Sequence, residues 1–282
     1  MRAARIGLSI GASLLAATAI AGNAGAATPP TPTFPASIWS AYRDAIIDSA
    51  VARPDEVVTN LLVLSPSDGR TQWKVIDGEQ YLLVGQLRGA PFTGVDPGQK
   101  FQLPGDRWVS VPRDLAQACA AYKCRRMDDA ALDLQLRQIV GLPPDADYDY
   151  IIRFWVKPSD MFRPCTDPRV TVRSCPEQVA SGSAADPVPS TVGSTDLASF
   201  LWTQANYAWR LPSAFHPKAA VSCAVNWNTE RCYGFPWTRL GYTYDWTPGA
   251  ADHEGVTEFV AANGATAYLE SFGKHRKYFP QR

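Results

Sequence analysis

Cysteine placement constrains this chain more than any other feature. Six cysteines, at 119, 124, 165, 175, 223 and 232, lie downstream of a leader-like N-terminus and fall into three sequence-local pairs. In the leader, Arg2 and Arg5 precede an apolar stretch from Ile6 to about Ile20, and the small residues Ala24 to Ala27 then meet Pro29, Pro30 and Pro32. That order is the layout of a secretory signal peptide, residues 1–26, cleaved after Ala26. The alternative, a transmembrane anchor, needs roughly 20 apolar residues, more than this stretch offers. An even cysteine count in an exported chain predicts disulfides, and local spacing predicts Cys119–Cys124, Cys165–Cys175 and Cys223–Cys232. Each closure should stabilise the fold by about 2–3 kcal/mol. Cys119 and Cys124 point to different faces of an unbroken helix, so a turn must interrupt it near Tyr122. None of the spacings is Cys-x-x-Cys and the histidines, at 216, 253 and 275, are scattered, so no metal site is expected.

Composition narrows the classes further. The 282 residues carry 27 basic and 27 acidic side chains and are 46% apolar, which excludes both a disordered chain and a phosphate-backbone binder. No later segment is apolar enough to span a membrane, so a periplasmic or secreted protein is expected, with no nucleic-acid partner. Residues 27–36 are Pro/Thr-rich and read as a tether. Ile38, Tyr42, Ile46 and Ala50 recur every four residues, predicting a helix over 37–51 capped by Ser37. Strand-like runs follow at 57–64, 71–76, 80–87 and 107–111, with Asp77-Gly78 as a hairpin turn. Helices are predicted over 114–122 and 128–140, the second stopped by Gly141, and a strand over 149–157.

The region 37–175 therefore reads as an α+β core with a mixed or antiparallel sheet and a few helices. Residues 176–195 form a Ser/Pro/Gly-rich loop or linker, and 196–282 a helix over 196–210 followed by aromatic-rich strands packed on the same domain. No internal repeat is visible.

The motifs that carry chemistry are few. Gly7-Leu8-Ser9-Ile10-Gly11 matches a nucleophile elbow but lies in the leader, and no phosphate loop, His-Glu-x-x-His helix or dinucleotide fingerprint exists, so no cofactor is expected. Near the C-terminus, Asn263-Gly264 separates runs at 256–262 and 265–271, predicting a type I′ hairpin in which Phe259 faces Tyr268 and Glu258 faces Leu269. Alternation then puts Glu258, a lone carboxylate, on the apolar face with Val256, Val260 and Ala262. A buried carboxylate is either a catalytic acid/base or half of a structural ion pair, for instance with Arg239. Upstream, Trp237, Tyr242, Tyr244, Asp245 and Trp246 crowd around Arg239. Such a cluster serves as a sugar-binding surface, as a protein interface, or as a disulfide-bonded core. His253 follows in a loop, where it is a general base assisting Glu258 or merely solvated.

The strings from Pro236 to Trp246 and Gly255 to Val260, with Gly141 to Pro144 and Val156 to Cys165, resemble an uncharacterised group of bacterial exported proteins. That resemblance implies export and a common fold, and no assigned activity. The stretch from Glu258 to Leu269 also resembles the final strand pair of ADP-ribosyltransferase folds. It implies a catalytic Glu258 working with an arginine on an early strand, here Arg153, and a hydroxyl-bearing strand, here Ser194-Thr195. Two expectations result: a binding module using an aromatic surface for carbohydrate or an extracytoplasmic protein, or a hydrolase or transferase using Glu258 with Arg239 and His253. A structural or inhibitory exported protein is the third.

Overall fold

Period-two alternation along the strands sets where the core lies. The computed structural model describes residues 34–281 except 91, 181, 184 and 210–233. The signal-peptide assignment, the Cys223–Cys232 pair and His216 thus fall outside the described residues. Strands β1 (Trp73–Ile76), β2 (Glu79–Arg88), β3 (Lys100–Gln102), β4 (Arg107–Val109), β5 (Tyr150–Val156) and β6 (Met161–Phe162) precede β7 (Thr191–Val192) and β8 (Thr195–Asp196). After them come β9 (Tyr242–Tyr244), β10 (Glu254–Thr257), β11 (Phe259–Ala261) and β12 (Thr266–Lys274). The helices are α1 (Ala36–Ser49), α2 (Pro112–Ala121), α3 (Asp129–Ile139) and α4 (Leu197–Ala208).

Every ladder among the described residues is antiparallel. One sheet has the order β1-β2-β5-β12-β3, a second β4-β11-β6, and β10 pairs with β9. This is an α+β protein, and strands from the C-terminal third complete the sheets begun by the first half. Leu82 and Val84, Ile152 and Phe154, and Ala267 and Leu269 turn one face of the five-stranded sheet onto Val109, Met161, Phe259 and Ala261 of the second. The alternate residues Ile151 and Leu87 face the other way, onto Leu115 of α2 and Leu132 and Leu136 of α3. Gly85 and Ser110 exchange backbone hydrogen bonds at 2.8 and 2.9 Å and tie the sheets together at one corner.

Two of the three sulfur pairs are formed, Cys119–Cys124 and Cys165–Cys175. α2 ends at Ala121, and Lys123, at φ 58°, reverses the chain to bring Cys124 back. None of the helices among the described residues is long and apolar enough to cross a membrane.

Three local expectations are corrected. Residues 57–64 are buried at Leu61 to Leu64 but form no strand: Leu61 and Leu64 N–H donate to Arg173 and Val170 carbonyls in the disulfide loop rather than to a ladder. Ser37 does not cap α1, which begins one residue earlier behind Pro35. Asn263-Gly264 is not a hairpin turn. Gly264 has φ 78° but Asn263 does not adopt positive φ, so the turn is not type I′, and turns of the unprimed kind splay their strands. β11 therefore pairs with β4 and β6 while β12 joins β5 and β3. Asn263 serves the corner differently, its Oδ1 accepting from Gly105 N–H at 2.8 Å.

Candidate functional site: the cavity at Glu258

Glu258 sits at the break between β10 and β11, and three successive N–H groups are pinned there to three different partners. Val256 N–H donates to Thr243 Oγ1 (2.8 Å), Thr257 N–H to Asp114 Oδ2 (3.0 Å) and Glu258 N–H to the Gly241 carbonyl (3.0 Å). Those partners come from β9, α2 and the turn before β9. With its backbone held in this way, Glu258 lines a cavity of about 510 Å3.

The cavity is walled by β2 and β4, by the segment after α3, by α4 and by the stretch around Phe235. Half-buried Trp108, Tyr148, Tyr207 and Phe235 give it aromatic faces, and Asp106, Arg107, Asp145 and Gln204 give it polar groups. Glu258 is 7% exposed, and its Oε2 is fully buried with no hydrogen-bond partner. Burial pushes its carboxyl up to about 8, with the Arg163 guanidinium pulling the other way. The group is thus chiefly a neutral acid at pH 7, with one donor and acceptor capacity to spare.

Arg163 is the charge behind it. Its side chain is fully buried, lies over the Phe259 ring at 5.0 Å and donates through Nη2 to Leu62 and Val172 carbonyls at 3.0 and 2.9 Å. Burial pushes the guanidinium down to about 10, and no salt bridge to Glu258 forms. The arginine that the sequence reading offered, Arg239, is elsewhere. At φ 63° it lies over Trp209 at 4.7 Å and donates to the Ala50 carbonyl, so it neither pairs with Glu258 nor lines the cavity. His253 is also corrected: its ring stacks on Tyr244 at 4.8 Å and Nδ1 donates to the Asp245 carbonyl at 2.8 Å, outside the lining.

The aromatic cluster is core, not surface. Trp237, Tyr242, Tyr244, Asp245 and Trp246 are all buried. Each polar tip is used internally: Trp237 Nε1 on Pro164 O, Trp246 Nε1 on Leu142 O, Tyr242 OH on Glu56 O, Tyr244 OH on Asp48, and Asp245 accepting from Tyr122 OH at 2.7 Å. Nor do the ADP-ribosyltransferase counterparts gather at Glu258. Arg153 lies over Tyr278 at 4.1 Å, Ser194 Oγ donates to Asn263 O, and Thr195 Oγ1 bonds Asp106. None of the three lines the cavity.

Of the sequence-derived candidates, Glu258 alone reaches the cavity. Arg163, Trp108, Tyr148 and Tyr207 were missed; Arg163 lay in a string that carries the resemblance, and Trp108 and Tyr207 in elements expected only as a strand and a helix. Comparison with protein-family models, curated proteins and solved structures finds no match for this chain.

Proposed function

We propose that this is an exported protein, periplasmic or secreted, of the uncharacterised bacterial group it resembles, and that it binds a small hydroxylated ligand of sugar size in the Glu258 cavity. The observation that carries this is that Glu258 lines the cavity with a buried carboxyl for which the described residues supply no hydrogen-bond partner at Oε2. A buried polar group left unsatisfied costs about 1–3 kcal/mol, and a ligand hydroxyl that reaches the carboxyl recovers part of that cost. The volume lies in the range of roughly 300–1,000 Å3 typical of small-molecule sites, and aromatic walls suit the apolar faces of a sugar ring. A neutral carboxyl both donates to and accepts from hydroxyls, which a carboxylate does not. Two disulfides and the leader-like N-terminus support an oxidising compartment.

Calorimetric titration with a panel of mono- and disaccharides tests this. Binding is expected to weaken by about tenfold in Glu258→Ala and to survive in Glu258→Gln, which keeps a neutral hydrogen-bonding group. If no sugar of the panel binds the wild-type protein, the reading fails.

A further inference from the structure

We infer that the cavity does more than hold a sugar: Glu258 is the acid that protonates the leaving oxygen of a glycosidic bond, and this rests on the binding reading above. Two geometric features point there. First, the carboxyl is held without a direct partner. A salt bridge would keep it ionised, and a hydrogen-bonded network would occupy its proton, but Oε2 has neither. Second, it is not stranded. The Arg163 guanidinium acts on it without closing a salt bridge, itself fixed by the Leu62 and Val172 carbonyls and over the ring of the adjacent Phe259. A buried acid that gives up its proton must leave a carboxylate in a dry place, and a fixed cation nearby is what lets that charge form. Arg163 is therefore a positioning residue for the acid.

The step balances with water as the only co-reactant. The bond between the anomeric carbon and the bridging oxygen breaks, and its electron pair stays on the oxygen, which takes the Glu258 proton and leaves as an alcohol. Water adds to the anomeric carbon, and its surplus proton returns to the Glu258 carboxylate. Asp106 and Asp145 line the same cavity, together with Arg107, and acidic side chains there favour a cationic sugar transition state. The raised carboxyl keeps its proton to about pH 8, so the acid is loaded at neutral pH.

The test uses the processed protein and paired glycosides that share a sugar but differ in leaving group, nitrophenoxide against methoxide. Nitrophenoxide leaves without help, whereas methoxide needs a proton. Glu258→Gln is expected to lower kcat/KM by roughly 10²–10⁴-fold on the methyl glycoside and far less on the nitrophenyl one, while sugar affinity by calorimetry stays intact. Wild-type kcat/KM should fall as pH rises through about 8. Arg163→Met should carry that fall to higher pH, an effect that a purely structural role does not produce. If Arg163→Met does not fold, the leaving-group comparison alone decides the proposal. If the wild type binds sugar but turns over neither glycoside, or Glu258→Gln slows both equally, the acid role is overturned and the binding reading stands. If the wild type binds no sugar, both fall.

Discussion

At the scale of the residue, Glu258 is where sequence and structure agree most and where stability is most exposed to pH. Alternation placed it on a buried face with Val260, and Val260 does pack with Leu197 and Phe200 of α4 on the side that borders the cavity. Its carboxyl is raised from the usual glutamate range to about 8 in the folded chain. Between the unfolded value and about pH 8 the folded chain holds a proton that the unfolded chain has released, so stability falls as pH rises across that window and levels off above it. Below the unfolded value both states are protonated and the effect vanishes. Glu258→Gln stays neutral throughout, so its chemical-denaturation stability should match the wild type near pH 4 and exceed it near pH 9 by on the order of 3–5 kcal/mol. Equal stabilities at both ends sink the assignment of a buried acid. The partner of Glu258 was not legible because charge pairing in a fold depends on topology. Arg239 lies 19 residues before Glu258, yet the turn at Arg239 and Gly241 directs its side chain to α1. Arg163, far upstream, is laid against Gly241 instead, where an added Cβ would meet its Cδ at 2.7 Å.

At the scale of the element, local chemistry was read well where it acts locally. Asp77 and Gly78 both take positive φ and join β1 to β2 as a two-residue turn of the primed kind. Gly141, at φ 70°, stops α3, and Asp128 caps it through Ala131 N–H. The same signal misled at Asn263-Gly264, because both flanking runs are buried between sheets and tertiary pairing overrode the turn propensity. Among the helices α4 contributes most side chains to the cavity, with Thr203, Gln204 and Tyr207 lining it. Few of its side chains are buried, Leu197, Phe200 and Ala208 among them, so its cap counts for more than in a buried helix. The Asp196 carboxylate accepts from Ser199 N–H at 2.7 Å. Asp196→Ala should lower stability and speed amide exchange through 197–208 more than through α3. Uniform acceleration across both helices would show that α4 does not open on its own.

At the scale of the whole molecule, disulfide chemistry and the site meet in one loop. The cysteine pattern made two cross-links legible, but not that they do different jobs, which depends on what the loops touch. Cys119–Cys124 fastens the turn between α2 and α3 in the cluster of Leu115 and Leu132. Cys165–Cys175 closes a loop whose sulfurs pack with Leu61, Leu240 and Tyr242 and whose carbonyls at Pro168 and Val172 hold Arg163. Each bridge should contribute about 2–3 kcal/mol, so Cys119→Ala/Cys124→Ala and Cys165→Ala/Cys175→Ala are expected to lower stability by similar amounts. Their effects on Glu258 should differ. Burial is the larger cause of its raised carboxyl and Arg163 the smaller, opposing one, so opening the 165–175 loop admits water and lets the carboxyl fall toward the usual range. The 119–124 variant leaves that loop closed. Carboxyl-labelled glutamate followed by NMR against pH should therefore show Glu258 titrating near 8 in the wild type and the 119–124 variant, and lower in the 165–175 variant. The same titration in all three proteins would mean that the disulfide loop holds the fold together without reaching the site.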